Sequence, residues 1–206
     1  MKKKALILDL DNTIYPVSSI GEALFKSLFE LIKQSGEYFG DFKEIKQEIM
    51  RTPFQKVAAD FKFSSQLTAA GTELLQDLTY DEPMFAFEDY TEIKNIPCTK
   101  FLVTTGFIKL QRSKVEQLGI EKDFAEIHIV DPRTSNKTKK DIFQDILNRY
   151  NYNQADVLVV GDDRNSEIKA ATELGIDTVL YDKLNFNPDI TSPNKISDFR
   201  QLKDFV

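Results

Sequence analysis

Cysteine and histidine are nearly absent: Cys98 and His128 stand alone in 206 residues. A single thiol excludes an internal disulfide and any zinc cluster built on thiolates, and it is expected to be a small, buried, inert group. Long apolar runs are missing too, since none approaches the ~18–20 residues of a membrane span. The start MKKKALIL imitates a signal peptide only superficially, because its apolar stretch meets Asp9 after four residues, whereas a secretory core needs roughly 7–15. Basic charge is in short supply as well. With 27 Lys and Arg against 33 Asp and Glu, the net charge is −6, which argues against a general nucleic-acid or membrane-surface binder. It leaves room for an anionic small substrate, because a metal ion and one or two lysines reverse the sign locally. The expectation is a soluble, cytoplasmic protein with neither nucleic acid nor membrane as partner.

Hydrophobic residues make up 41% of the chain, enough for one large domain or for a core with a smaller second lobe. Ala5–Leu8 is apolar without alternation, as suits a strand buried on both faces of a parallel sheet. Similar runs recur at Phe101–Val103, Ile127–Val130, Val157–Val160 and Thr178–Leu180. His128 falls inside one of them and reads as structural. Helical patterns lie between these runs: Leu110 to Leu118 ending at Gly119, Lys139 to Tyr150, and Ser166 to Leu174 ending at Gly175. Strand and helix alternate from residue 101 onward, the mark of an α/β parallel sheet. Residues 16–97 break the rhythm. Helical stripes such as Leu24, Phe25, Leu28, Phe29, Ile32 and Leu67, Ala70, Leu74, Leu78 predict a helical lobe inserted after the first strand. The stretch Asn185 to Lys195 reads as a surface excursion.

Ligands of open α/β sheets sit at the carboxyl ends of the strands, so the residues after each strand matter most. These are Asp9 and Asp11 after the first, Thr104, Thr105 and Gly106 after the second, and Asp131 after the third. A polar run Asn136-Lys137-Thr138-Lys139-Lys140 comes next, and Asp162, Asp163 and Glu167 follow the fourth strand. A lone Asp in such a place is commonly a turn former or cap. Two of them one residue apart are different, because positions i and i+2 of a strand point the same way. Gathered at one sheet edge, these carboxylates repel unless a cation joins them, and oxygen-only ligands favour magnesium. Thr104, Thr105 and Gly106 place hydroxyls and N–H groups at a strand-to-helix turn, a fair anion cradle.

The order DLDNT (9–13), VTTG (103–106), Lys137 followed by KKDIF, and VVGDDRNSEIKAA (159–171) resembles the haloacid dehalogenase superfamily of phosphotransferases. The resemblance implies a Rossmann-like parallel-sheet core, residues 1–15 and 98–206, with an inserted α-helical cap at 16–97. It implies Asp9 as a nucleophile that becomes an aspartyl phosphate and Asp11 as general acid and base. Thr104 would bind the phosphoryl group, helped by backbone N–H groups near Thr105 and Gly106. Lys137 would neutralise nucleophile and phosphate; Lys139 competes for that role, but the spacing to Ile142-Phe143 favours Lys137. Mg2+ would be held by Asp9, Asp162 and the backbone carbonyl of Asp11. Glu167 stands where the motif usually has Asp and would support the metal or the lysine. Asp163, a further candidate supporting residue, occupies a position where the resemblance implies a small polar residue, and its role stays open.

Within that resemblance, the acid at position 11 makes a phosphatase rather than a dehalogenase the expected activity. A small phosphate monoester, such as a nucleotide or sugar phosphate, would be the substrate. Tyr15-Pro16 resembles the opening of the pyrimidine 5′-nucleotidase-like branch. Phosphomutase and phosphonatase chemistry remain alternatives, as does a non-catalytic phosphate-binding scaffold, which would not need Asp9, Asp11, Lys137 and Asp162 together. A phospho-accepting receiver domain would lack the long helical insertion. Arg51, the only arginine of the inserted lobe, is a candidate substrate contact.

Overall fold

The computed structural model describes residues 2–131, 133–134, 136–192 and 194–206. Six parallel strands form one sheet in the order β3-β2-β1-β4-β5-β6. They are β1 (Ala5–Leu8), β2 (Thr99–Thr105), β3 (Glu126–Val130), β4 (Val157–Gly161), β5 (Asp177–Tyr181) and β6 (Lys195–Ile196). The α/β architecture expected from the alternating pattern is thus present. β1 lies at the centre, with Leu8 beside Leu102 of β2 and Val160 of β4. Its alternate side chains feed two apolar clusters, Leu6 and Leu8 on one face, Ala5 and Ile7 on the other. Burial of both faces explains why the run carries no polar alternation.

Between β1 and β2 the chain forms a 3-10 turn at Val17–Ser19 and the α-helices α1 (Gly21–Leu24), α2 (Lys26–Ser35), α3 (Phe42–Ile49), α4 (Phe54–Asp60), α5 (Ser65–Asp77) and α6 (Tyr90–Asn95). The first expected stripe is broken at Phe25, so Leu24 and Leu28 belong to separate helices. Leu78 takes extended backbone just past α5. Asn12, in the left-handed region at φ 57°, turns the chain out of β1, a conformation asparagine tolerates better than most residues. Its side chain accepts from Val17 N at 3.1 Å and donates to the Met50 carbonyl at 3.2 Å, tying the departing chain to the helices above. The apolar cluster of these helices, with Ile45, Phe54 and Val57, is continuous with the Leu6–Leu8 face of the sheet.

After β2 follow α7 (Ile108–Leu118), α8 (Lys139–Tyr150) and α9 (Glu167–Glu173). Gly119 ends α7 at φ 64°, as its position after the apolar stripe predicts. Thr138 and Asp141 form a reciprocal capping box at the start of α8. β6 is a departure from expectation, because two residues at the end of the Asn185–Lys195 excursion return to pair with β5. Cys98 is half-buried rather than fully buried as expected, and burial pushes its thiol pKa up. His128 is half-buried on β3 beside Glu126, in keeping with a structural reading. Among the described residues no helix is long and apolar enough to cross a membrane.

Candidate active site

Four strand ends converge beneath the inserted helices. Asp9 follows β1 directly, its N–H bonded to the Val160 carbonyl at 3.1 Å, and its carboxylate is buried. Lys139 Nζ donates to Asp9 Oδ1 and to Glu167 Oε2, each at 2.7 Å. Glu167 is buried at the start of α9, where its Oε1 also accepts from Asp163 N at 2.8 Å. Gly161 makes this possible: a Cβ there would lie 2.2 Å from Glu167 Oε1. Asp162 completes the group, and one carboxylate oxygen each from Asp9, Asp162 and Glu167 lie within 4.8 Å of one another. Burial, then the neighbouring Glu167, push the Asp9 pKa up to about 7 against the pull of Lys139. Burial, Glu167 and Asp9 likewise raise Asp162. Three carboxylates sharing one ammonium leave excess negative charge in a confined space. An all-oxygen donor set of this charge fits a hard divalent cation.

The lysine of the site is Lys139, not Lys137, which corrects the expectation from spacing. Thr138 is the cap of α8, so Lys139 is its first helical residue and shares a buried face with Phe143 and Ile146, four and seven positions on. Lys137 lies before the cap and is exposed. Glu167 is a direct partner of that lysine and its carboxylate belongs to the acidic group. Asp163 does not join it; its Oδ1 accepts from Asn165 N at 2.8 Å and shapes the turn into α9.

Asp11 faces elsewhere. β1 ends at Leu8, so the two-residue spacing that predicts a shared direction no longer applies to Asp9 and Asp11. The Asp11 carboxylate is bound by Lys114 Nζ at 2.8 and 3.1 Å, by Gln111 Nε2 at 3.0 Å, and by the Tyr15 hydroxyl. Burial pushes its pKa up, yet the Lys114 charge and these donors outweigh it and hold the group below its ordinary value. Tyr15 is correspondingly raised by burial and by Asp11. The Asp11 side chain is therefore outside the acidic group of Asp9, Asp162 and Glu167.

Thr104, at the end of β2, is buried, and its Oγ1 accepts from Gln111 Nε2 at 2.8 Å. The N–H of Gly106 donates to the Val130 carbonyl at 3.1 Å. That bond corrects the expectation that Gly106 offers an N–H to an anion, since the group is already engaged. The glycine serves another need, because a Cβ there would come within 3.0 Å of Gln111 Cγ. Asp131, buried, accepts from Ile108 N at 3.3 Å and so anchors the start of α7. The cleft above these groups, about 140 Å3, is walled by both carboxylates, by Thr104 to Phe107, and by Phe25, Met50 and Phe54 of the insert. Arg51 also lines it, its guanidinium 4.0 Å from the centre of the Phe186 ring. Gln111 and Lys114 went unread in the sequence, although a charged residue four positions from both Leu110 and Leu118 interrupts an apolar stripe.

The chain is 24% identical to a ribulose-1,5-bisphosphate 5-phosphatase of Halopiger xanaduensis, across 96% of this chain and 92% of the other. It is also 24% identical to a glyceraldehyde 3-phosphate phosphatase of Methanopyrus kandleri, across 98% and 97%. A hydrolase of Bacillus subtilis, YfnB, crystallised with magnesium, superposes with a TM-score of 0.67 at 18% identity, covering 100% of this chain and 99% of that one. Residues 3–175, carrying every strand end of the site, match the family model for haloacid dehalogenase-like hydrolases, and the protein belongs to that family.

Proposed function

We propose that this protein is a magnesium-dependent phosphatase acting on a small phosphate monoester, with residues 16–97 forming a cap over the reaction centre. The observation that carries this reading is the separation of two carboxylates in one cleft, Asp9 on Lys139 and Asp11 on Lys114. In the first half-reaction an Asp9 oxygen attacks phosphorus, and its new bond forms as the bond to the leaving oxygen breaks. Asp11, ionised in the free protein, takes up a proton as the phosphate enters the cleft and gives it to the departing oxygen. In the second, water attacks the phosphorus of the aspartyl phosphate and Asp11 takes its proton. Asp9 is released with inorganic phosphate. Lys139 holds the Asp9 carboxylate in place and offsets charge on the phosphoryl oxygens, and Thr104 donates its hydroxyl to them. Mg2+, held by Asp9 and Asp162 with Glu167 beside them, would supply positive charge to the phosphoryl group.

A triose or pentose phosphate is the leading candidate, because both curated relatives are named for sugar-phosphate substrates. The apolar wall of Phe25, Met50 and Phe54 provides no reason to prefer a phosphomutase. Purified protein with Mg2+ should release phosphate from a panel of monoesters, fastest from three- to five-carbon sugar phosphates. Absence of turnover across the panel, with Mg2+ bound, contradicts the reading.

A further inference from the structure

The geometry points to Gln111 and Lys114 of α7 as positioning residues that hold Asp11 and Thr104 as one unit. This inference rests on the phosphatase reading above. Both side chains are almost wholly buried, at 1% and 3% exposure. Burying an ammonium and an amide is costly unless every polar group finds a partner, and an apolar residue at either position would pack without that cost. The compensation is specific. Lys114 reaches both Asp11 oxygens, and among the described residues Asp11 is the carboxylate it pairs with. The Gln111 amide nitrogen has two hydrogens, directed to Asp11 Oδ2 at 3.0 Å and Thr104 Oγ1 at 2.8 Å.

Two consequences follow for the chemistry. Each Asp11 oxygen has a fixed donor, so the carboxylate has one orientation beside the cleft when a leaving oxygen or a water arrives. Thr104 Oγ1 accepts from Gln111, so its own proton is left to donate toward a phosphoryl oxygen. Three and four residues apart on a helix are the spacings that bring side chains to one face, and α7 is itself pinned. Asp131 caps its first N–H, and the Ser113 hydroxyl accepts from Tyr80 N at 2.9 Å. The absence of a Cβ at Gly106 lets Gln111 approach. A group misplaced by about 1 Å in such a site loses on the order of 10²-fold in rate.

The test compares an alkyl phosphate, whose leaving oxygen needs a proton, with a dinitrophenyl phosphate, whose leaving group does not. In Lys114→Met, the single-turnover rate on the alkyl ester should fall about 10²-fold with KM within about twofold. Phosphoenzyme formation from the dinitrophenyl ester should stay within about threefold of wild type. Lys114→Arg should restore most of the alkyl rate. Gln111→Leu should show the same bias and also weaken competitive inhibition by inorganic phosphate about fivefold, the size of one lost hydrogen bond. If Lys114→Met does not fold, as judged by its melting curve, Lys114→Gln replaces it with the same expected bias. Equal slowing of both esters, or unchanged rates, overturns the positioning role while leaving the phosphatase reading intact. A wild-type protein that hydrolyses neither ester overturns both.

Discussion

Asp9 and Asp11 stand two residues apart, yet their carboxylates answer to different ammonium groups, Lys139 at 2.7 Å and Lys114 at 2.8 Å. Burial drives Asp9 up to about 7, while Lys114 and its companions draw Asp11 down. In the metal-free protein Asp9 thus holds a proton more readily than Asp11, and a cation at the Asp9 group would favour its nucleophilic carboxylate form.

The identity of the site lysine makes the first prediction. Lys139→Met leaves Asp9, Asp162 and Glu167 without their ammonium, and breaking a buried pair of this kind costs about 3–5 kcal/mol. Without Mg2+ the variant should melt well below wild type, and saturating Mg2+ should recover part of the loss. Lys137→Met, outside the buried acidic group, should leave the Mg2+-dependent part of the melting behaviour near wild type. Calorimetry with and without Mg2+ checks both variants.

The misplaced lysine also shows where sequence reading stops. Strand ends were legible because apolar runs such as Val157–Val160 finish abruptly in polar residues, and the helices between them keep a clear stripe. Whether Lys137 or Lys139 enters the site depends on which residue caps α8, and Thr138 as the cap places Lys139 in phase with Phe143 and Ile146. The partners of Asp11 were hidden for a related reason. Lys114 lies about a hundred residues away on a helix judged by its apolar positions, so only folding reveals the pair. Two-residue β6 carries too little pattern to be seen.

Metal affinity should depend on pH in a direction set by Asp9. Its folded pKa of about 7 is above the ordinary 3.8, so the metal-free fold favours the protonated form. That contribution to stability is lost as pH rises from about 3.8 through 7. A cation requires the carboxylate and must displace the proton, so binding strengthens over the same range. Apparent Mg2+ affinity should therefore drop by at least about tenfold per unit as pH falls below 7, because Asp162, also raised by burial, must give up its proton as well. Isothermal titration at several pH values measures the slope, and a flat profile contradicts it.

Gly161→Ala should act on Glu167 rather than on the sheet. The new methyl would lie 2.2 Å from Glu167 Oε1, which must leave Lys139 or Asp163 N. Loss of such a supporting contact typically costs ~10–100-fold in metal affinity. The check is Mg2+ titration alongside a melting curve.

Arg51 and Phe186 join the inserted helices to the loop after β5, and the pairing is partly exposed. Cation–π contacts of that kind are worth roughly 0.5–1 kcal/mol. Arg51→Met should raise KM about two- to fivefold with kcat nearly unchanged, and Phe186→Leu should match it. Steady-state kinetics on the best sugar phosphate found in the panel distinguishes this from a loss of chemistry.

The most direct test of the two-carboxylate account is rapid acid quench after mixing with dinitrophenyl phosphate and Mg2+, followed by mass spectrometry for an added phosphoryl group. Asp9→Asn should show no label and no turnover. Asp11→Asn should accumulate label on Asp9, because an activated leaving group departs without a proton while the second step lacks its base, worth ~10²–10⁴-fold. Label on any other residue, or near-normal turnover by Asp9→Asn, would contradict the account.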